Sequence, residues 1–133
     1  MYNSLKIYQK TRLKVAFRWL LILFYLVAGI NHFIHPQFYI PLIPPYFPYP
    51  DLINLISGAV EILLALGVLF SSTRKRAVQG IILMLIAFIP SHVYFIEIGA
   101  CVGLQSLCTP IWVAWVRLLL IHPLLIVWAW SVR

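Results

Sequence analysis

The chain has few charged residues. Only 10% of its 133 residues are charged, with three acidic side chains against ten of Lys and Arg. A soluble domain has about 25% charged and about 45–50% apolar residues, whereas 63% of this chain is apolar. A water-soluble fold of this size leaves roughly a third of its surface in solvent and cannot hide so much hydrocarbon. The composition therefore excludes a soluble domain and indicates an integral membrane protein.

Lys and Arg are absent from two long stretches of the chain. None lies in residues 19–73, and only Arg117 lies in residues 77–132. The others precede or begin the first apolar run, form the triplet 74–76, or end the chain. By the positive-inside rule, both termini and the loop holding this triplet are cytoplasmic, which predicts an even number of spans. Topology thus accounts for the net charge of +7, and we expect no nucleic-acid partner.

Four apolar runs are long enough to cross a hydrocarbon core of about 30 Å. The expected spans cover residues 15–34, 52–70, 77–96 and 111–130. Each is predicted to be helical, because lipid offers the backbone no hydrogen-bond partners. The sequence therefore predicts one all-α domain over residues 1–133. We expect an antiparallel bundle of four transmembrane helices in a bacterial inner membrane, surrounded by the lipid bilayer.

The connection between the first two spans contains six prolines in residues 35–50. Proline fixes φ and removes a backbone donor, so an ordinary helix is not expected here. The same segment holds aromatic residues of the kind that favour the membrane interface. We predict a stiff, semi-extended, proline-rich outer loop. It is either an interfacial loop or a lid over a cavity.

Ionisable residues inside a membrane are costly and mark candidate functional sites. Glu61 is the only acid well inside an apolar run, and Arg117 is the only Lys or Arg so placed. Pairing the two relieves the cost of both, and the sequence therefore predicts a buried ion pair. Such a pair either fixes helix register or anchors a polar ligand. The candidate residues for ligand binding or a proton relay are His32, Glu61, His92 and Arg117.

Spacing that is typical of metal sites is missing. No two histidines on one span lie four residues apart, and no cysteine joins them, so no metal is expected. His122 precedes Pro123 and is interpreted as satisfying backbone groups that this proline frees. Cys101 and Cys108 fall in the second outer loop, where an oxidising periplasm permits a disulfide. A structural bridge is favoured over a redox pair, since the C-x-x-C spacing of exchange proteins is absent.

Several short motifs resemble the DoxX-like membrane proteins. They are Gly-Ile-Asn-His-Phe at 29–33 with the prolines that follow, Ser-Gly-Ala-Val-Glu at 57–61, the basic turn at 73–77, and Arg117-Leu118 before a Trp-rich end. The resemblance implies a four-helix bundle and a binding role for His32, Glu61 and Arg117. This chain departs from the family after Pro90, where Ser91 and His92 stand in place of the usual Asn, which weakens the transfer to His92.

Two functions follow as expectations, and the residues alone do not decide whether the chain is an enzyme. The resemblance implies a redox-associated subunit, linked to quinone or thiol chemistry, with a polar pocket in the outer half of the bundle. Its ligand is then a quinone or another small amphipathic molecule, and its partner a membrane or redox protein. The alternative is a noncatalytic chaperone or assembly factor for other membrane proteins.

Overall fold

The chain is helical throughout most of its length. A computed structural model describes residues 2–102 and 108–133, with side chains at Gln9 and from Thr11 onward. The elements are α1 (Tyr2–Ile34), α2 (Pro36–Tyr39), a 3₁₀ turn (Ile40–Leu42), α3 (Pro50–Leu69), α4 (Arg74–Glu97), α5 (Ile111–Val116), a π-helical segment (Arg117–Ile121) and α6 (His122–Ser131).

Four helical stretches are long and apolar enough to span a membrane. They cover Thr11–Ile34, Pro50–Leu69, Arg74–Glu97 and Ile111–Ser131, which confirms the predicted number of spans and shifts their boundaries by only a few residues. Many large apolar side chains point outward, among them Leu63 and Leu83. A surface of this kind is suited to lipid, where apolar side chains need no cover.

The spans pack in chain order, α1 against α3, α3 against α4 and α4 against α6. One apolar core contains Leu21, Val68, Val78 and Ile81, all without solvent exposure. We call the end of the spans at Ile34, Pro50, Glu97 and Ile111 the cap end. A second, smaller core lies there and joins Phe95, Ala100, Val102 and Ala114 to Leu42 of the 3₁₀ turn. The two segments that leave the spans at the cap end therefore pack on each other.

The turn between α3 and α4 is held by side chains that bind the carbonyls at the end of α3. Thr73 Oγ1 donates to Gly67 O at 2.6 Å, and Arg74 Nε donates to Val68 O at 3.1 Å. The last carbonyls of a helix have no partner within it, and a cation there also interacts favourably with the helix dipole. The basic residues that predict a cytoplasmic loop thus include one that closes this turn.

The proline-rich connection differs from the semi-extended form that the sequence predicts. Residues 36–42 instead form α2 and the 3₁₀ turn, with Pro36 and Pro41 at early positions in them. The prediction is wrong for this half because proline's fixed φ suits a first helical turn, where its missing N–H has no partner to lose. Tyr49, at φ 56°, then ends the connection, and Pro50 begins α3.

The fourth span changes its helical pitch in the middle. Residues 117–121 are π-helical, and the His122 N–H donates to Arg117 O, five residues earlier. Pro123 follows at once and cannot donate to the carbonyl of residue 119. Single π turns are a common way for a helix to accommodate such an interruption. This widened turn begins at Arg117, one of the predicted site residues.

Candidate functional site

Two glycines bring α1 and α3 into close contact near the cap end. A Cβ atom added to Gly29 would lie 2.7 Å from Gly58 O, and one added to Gly58 would lie 2.6 Å from His32 Cβ. Both distances are shorter than any real Cβ contact. Only glycine at these positions lets the two backbones approach this closely. The approach brings His32 of α1 against the α3 face that holds Asn54 and Glu61.

Asn54 fixes both the orientation and the tautomer of His32. Asn54 Nδ2 donates to the His32 carbonyl at 3.0 Å, and this bond turns the amide oxygen toward the ring. His32 Nδ1 lies 2.7 Å from that oxygen and must carry the hydrogen, since an amide oxygen only accepts. In a neutral ring the other nitrogen, Nε2, therefore presents its lone pair to α3.

Glu61 lies next to this nitrogen, which corrects the predicted ion pair. His32 Nε2 and Glu61 Oε1 are 3.8 Å apart, and both side chains are buried. Within the described part of the chain, no Lys or Arg nitrogen lies within 4 Å of the Glu61 carboxylate. The Glu61–Arg117 pair is not formed, because the glycine contact holds Glu61 against α1 while Arg117 lies beside α4. A lone pair facing a carboxylate is repulsive, so this contact is attractive only with a proton on Nε2 or on Oε1.

Two buried oxygen atoms at this contact have no hydrogen-bond partner among the residues that the structure describes. They are Glu61 Oε2 and the hydroxyl of Tyr25, whose residue is 2% exposed. Tyr25 stands seven residues before His32, on the same face of α1, and is close enough to Glu61 to interact with it electrostatically. Buried polar groups are nearly always satisfied, and an unsatisfied one calls for an explanation. A water or the polar group of a ligand would satisfy both atoms.

Tyr39 covers the site from the cap end. Its ring stacks on the His32 ring with centroids 3.7 Å apart, and its hydroxyl accepts a hydrogen bond from Asn31 Nδ2 at 2.8 Å. Tyr39 and Asn31 also line one end of an open groove of about 640 Å³. The rest of the groove is apolar and runs along α1 to Trp128 of α6. The groove would therefore suit an amphipathic molecule, with its polar head near Tyr39 and its apolar tail along α1.

The other predicted site residues form a separate group on α4 and the fourth span. The His92 and His122 rings meet edge to face with centroids 4.9 Å apart, and the Arg117 guanidinium lies 5.5 Å over the Phe95 ring. His122 Nε2 donates to Leu85 O of α4 at 2.7 Å. His122 therefore connects α4 to the fourth span. The prediction that its side chain satisfies backbone groups around Pro123 is wrong. The four candidate residues divide into two sites.

The two cysteines are joined in a disulfide. Both are exposed, while their neighbours Ala100 and Val102 are buried in the small core that includes Leu42. Leu42 lies three residues after Tyr39, the residue that covers His32. The residues on either side of Cys101 thus contact Leu42, which belongs to the same short segment as Tyr39.

Helical spacing in the sequence predicts that Asn54 lies on a polar stripe with Glu61 and can bond across a helix contact, and that Tyr25 shares a face with His32; it does not predict which residues they meet, and it does not identify Tyr39. Asn54 shares a helix face with Glu61, and Tyr25 shares one with His32, so helical spacing carries a signal for these two. Tyr39 gives no such signal, because it lies outside the spans and reaches His32 only through the turns of residues 36–42.

Comparison with known proteins gives one match. The profile of a family described as "Domain of unknown function (DUF8561)" matches residues 21–133. No curated protein and no solved structure matches the chain significantly. The matched region includes every residue of both sites.

Proposed function

The chain belongs to the DUF8561 family. We propose that it is a redox-associated membrane protein that binds a quinone-like amphipathic molecule. The observation that carries the proposal is the pair of buried, unpartnered oxygens beside His32 and Glu61. The resemblance to DoxX-like proteins supports the same class of function, since some members of that family are linked to quinone and thiol oxidation.

The proposed topology is an antiparallel bundle with both termini in the cytoplasm of a bacterium and the cap end in the periplasm. The basic residues of the chain support it, because the triplet 74–76 and Arg133 lie at the end of the spans remote from the cap end. In this orientation the proline-rich segment caps the outer half of the bundle. The cysteines then face an oxidising compartment, which is where disulfides persist.

The head of the ligand is proposed to bind between Tyr25 and Glu61. A quinone carbonyl accepts hydrogen bonds, and the Tyr25 hydroxyl is a buried donor without a partner. Reduction of a quinone to a quinol takes up two electrons and two protons. His32 Nε2 and Glu61 lie beside the proposed head, and either group, once protonated, can pass one proton to it, while the other comes from the dithiol whose oxidation is described below. Asn54 acts here as a positioning residue.

The tail of the ligand is proposed to lie in the groove along α1. The groove is lined by apolar side chains, including Leu23, Phe24 and Val27, and ends at Asn31 and Tyr39. An isoprenoid or acyl chain suits this surface better than a second polar group does, because a polar group there would lie in hydrocarbon without a hydrogen-bond partner. Tyr25 and Glu61 do not line the groove, and Tyr39, which ends the groove and stacks on His32, is the residue that would join the tail to the head.

Electrons are proposed to come from the cysteines. Oxidation of a dithiol at Cys101 and Cys108 to the disulfide releases two electrons and two protons, which one quinone takes up to become a quinol. An external dithiol in the same compartment then reduces the disulfide by thiol–disulfide exchange and is itself oxidised. The contact of Ala100 and Val102 with Leu42, in the segment that carries Tyr39, supports electron transfer between the cysteines and the proposed quinone site.

The test is quinone binding and redox titration of the protein in nanodiscs. We expect a short-chain ubiquinone to bind the unmodified protein and to bind at least tenfold more weakly to Glu61→Gln and Tyr25→Phe. Leu63→Ala, on an exposed surface of α3, is the matched control and should bind normally. After the disulfide has been reduced and the reductant removed, the two thiols should be reoxidised when quinone is added. Normal binding by both site variants would overturn the ligand site, whereas binding without any response of the cysteines would overturn only their role.

A further inference from the structure

Arg117 is a charged residue inside a span with no acidic partner. It lies six residues after the start of α5, or about 9 Å along the helix axis. Its guanidinium is over the ring of Phe95, two residues before the end of α4. Side chains of helices point back toward the N-terminal turn, so this guanidinium is directed to the cap end. It therefore lies near the boundary of the span and not at its centre.

The chain has no acid left to neutralise this charge. Its three acidic residues are Asp51, Glu61 and Glu97. Glu61 contacts His32, and the other two are exposed at helix ends, with no carboxylate of the three within 4 Å of Arg117. The aromatic face of Phe95 attracts a cation, but this attraction is weaker than that of a carboxylate or phosphate. An anion that pairs with Arg117 would therefore have to come from outside the chain.

His92 supplies a second donor beside Arg117. It stands one turn before Phe95 on α4, is half-buried, and lies within electrostatic range of Arg117. Its ring has no hydrogen-bond partner in the part of the chain that the structure describes. His122, which meets it edge to face, has its Nε2 committed to Leu85 O. A guanidinium and an imidazole with free donors thus share one space between α4 and the fourth span.

We propose that Arg117 and His92 bind a phosphate group at the cap end. The planar guanidinium matches the spacing of two phosphate oxygens and pairs with them through two parallel hydrogen bonds. The Cα atom of Arg117 lies about 9 Å inside the span and its side chain points to the cap end, so the guanidinium can meet a phosphate that dips just below the headgroup layer, with His92 on the inner side. The phosphate therefore belongs either to a lipid headgroup or to a soluble phosphate ester. This site is separate from the His32–Glu61 site and does not depend on quinone binding.

The test is binding of two phosphate compounds to the full-length protein in a phosphate-free maltoside detergent. The probes are short-chain phosphatidylglycerol and glycerol 3-phosphate, titrated with tryptophan fluorescence as the readout. We expect the unmodified protein to bind phosphatidylglycerol, and Arg117→Gln to bind it at least tenfold more weakly. Arg133→Gln is the matched control, because Arg133 also stacks on an aromatic ring, that of Trp130, but lies at the opposite end.

The remaining outcomes separate the two sources of phosphate. Binding of phosphatidylglycerol alone identifies a lipid headgroup, whereas equal binding of glycerol 3-phosphate identifies a soluble ester. Arg117→Lys keeps the charge but loses the paired donors, so it should fold normally and bind with intermediate affinity. His92→Phe should also weaken binding. The proposal is overturned if neither probe binds the unmodified protein, or if Arg117→Lys and Arg117→Gln both bind as tightly as Arg133→Gln.

Discussion

Replacing Gly58 by alanine tests the contact on which the His32 site depends. The new Cβ would lie 2.6 Å from His32 Cβ and 2.8 Å from Gly29 O. Carbon atoms pack at about 3.5–4.0 Å, so α1 and α3 must separate locally by about 1 Å. Overpacking of this kind costs about 1–3 kcal/mol, and the better helix propensity of alanine returns up to about 1 kcal/mol. We expect a net loss of about 1–2 kcal/mol in the free energy of unfolding.

Gly80→Ala is the matched control for this experiment. Gly80 also lies within a span against a neighbouring helix, but the added Cβ meets only the end of the Leu64 side chain, which can rotate away. Its free energy of unfolding should stay unchanged or rise by up to about 1 kcal/mol, because the same gain in helix propensity meets no backbone clash. The measurement is unfolding in mixed micelles by added SDS, followed by tryptophan fluorescence.

The same variants report on the site itself. Separation of the helices in Gly58→Ala should break the hydrogen bond between Asn54 and His32 Nδ1. In ¹⁵N NMR spectra, the two ring nitrogens of His32 should then lose their distinct donor and acceptor shifts, whereas those of Gly80→Ala should keep them. If Gly58→Ala is as stable as Gly80→Ala and retains the His32 tautomer, the close approach of α1 and α3 is refuted.

Three further predictions concern the site, the disulfide and the topology. A double-mutant cycle of His32→Gln and Glu61→Gln should give a coupling energy of about 1 kcal/mol in the free energy of unfolding; additive losses would show that the two side chains do not interact. Maleimide should label Cys101 and Cys108 only after reduction, and labelling of the untreated protein would contradict the disulfide. A fluorescent protein fused after Arg133 should be bright, and alkaline phosphatase fused at the same position should be inactive. The reverse pattern would place the C-terminus in the periplasm and contradict the topology.

The pairing of Glu61 shows why part of the site escapes prediction from the sequence. By depth along the spans, His32 and Arg117 are both suitable partners for a buried carboxylate. The choice depends on which helix approaches α3 most closely and on how each helix is rotated. Gly29 and Gly58 let α1 and α3 approach each other closely, and this approach places Glu61 beside His32. The sequence does not show that these two glycines face each other. Arg117 is left without a carboxylate, and this is the observation behind the phosphate site.

The membrane class, the number of spans and their approximate limits can be predicted from the amino-acid sequence alone. These properties follow from the apolarity of each segment, because lipid acts on every segment separately and forces its backbone to pair internally. Only the tertiary structure decided that His32 faces Glu61, that residues 36–42 form helical turns, and that His122 binds the carbonyl of Leu85. Each of these depends on contacts between residues far apart in the chain, and such contacts are set by close packing of whole helices and not by the apolarity of any one segment.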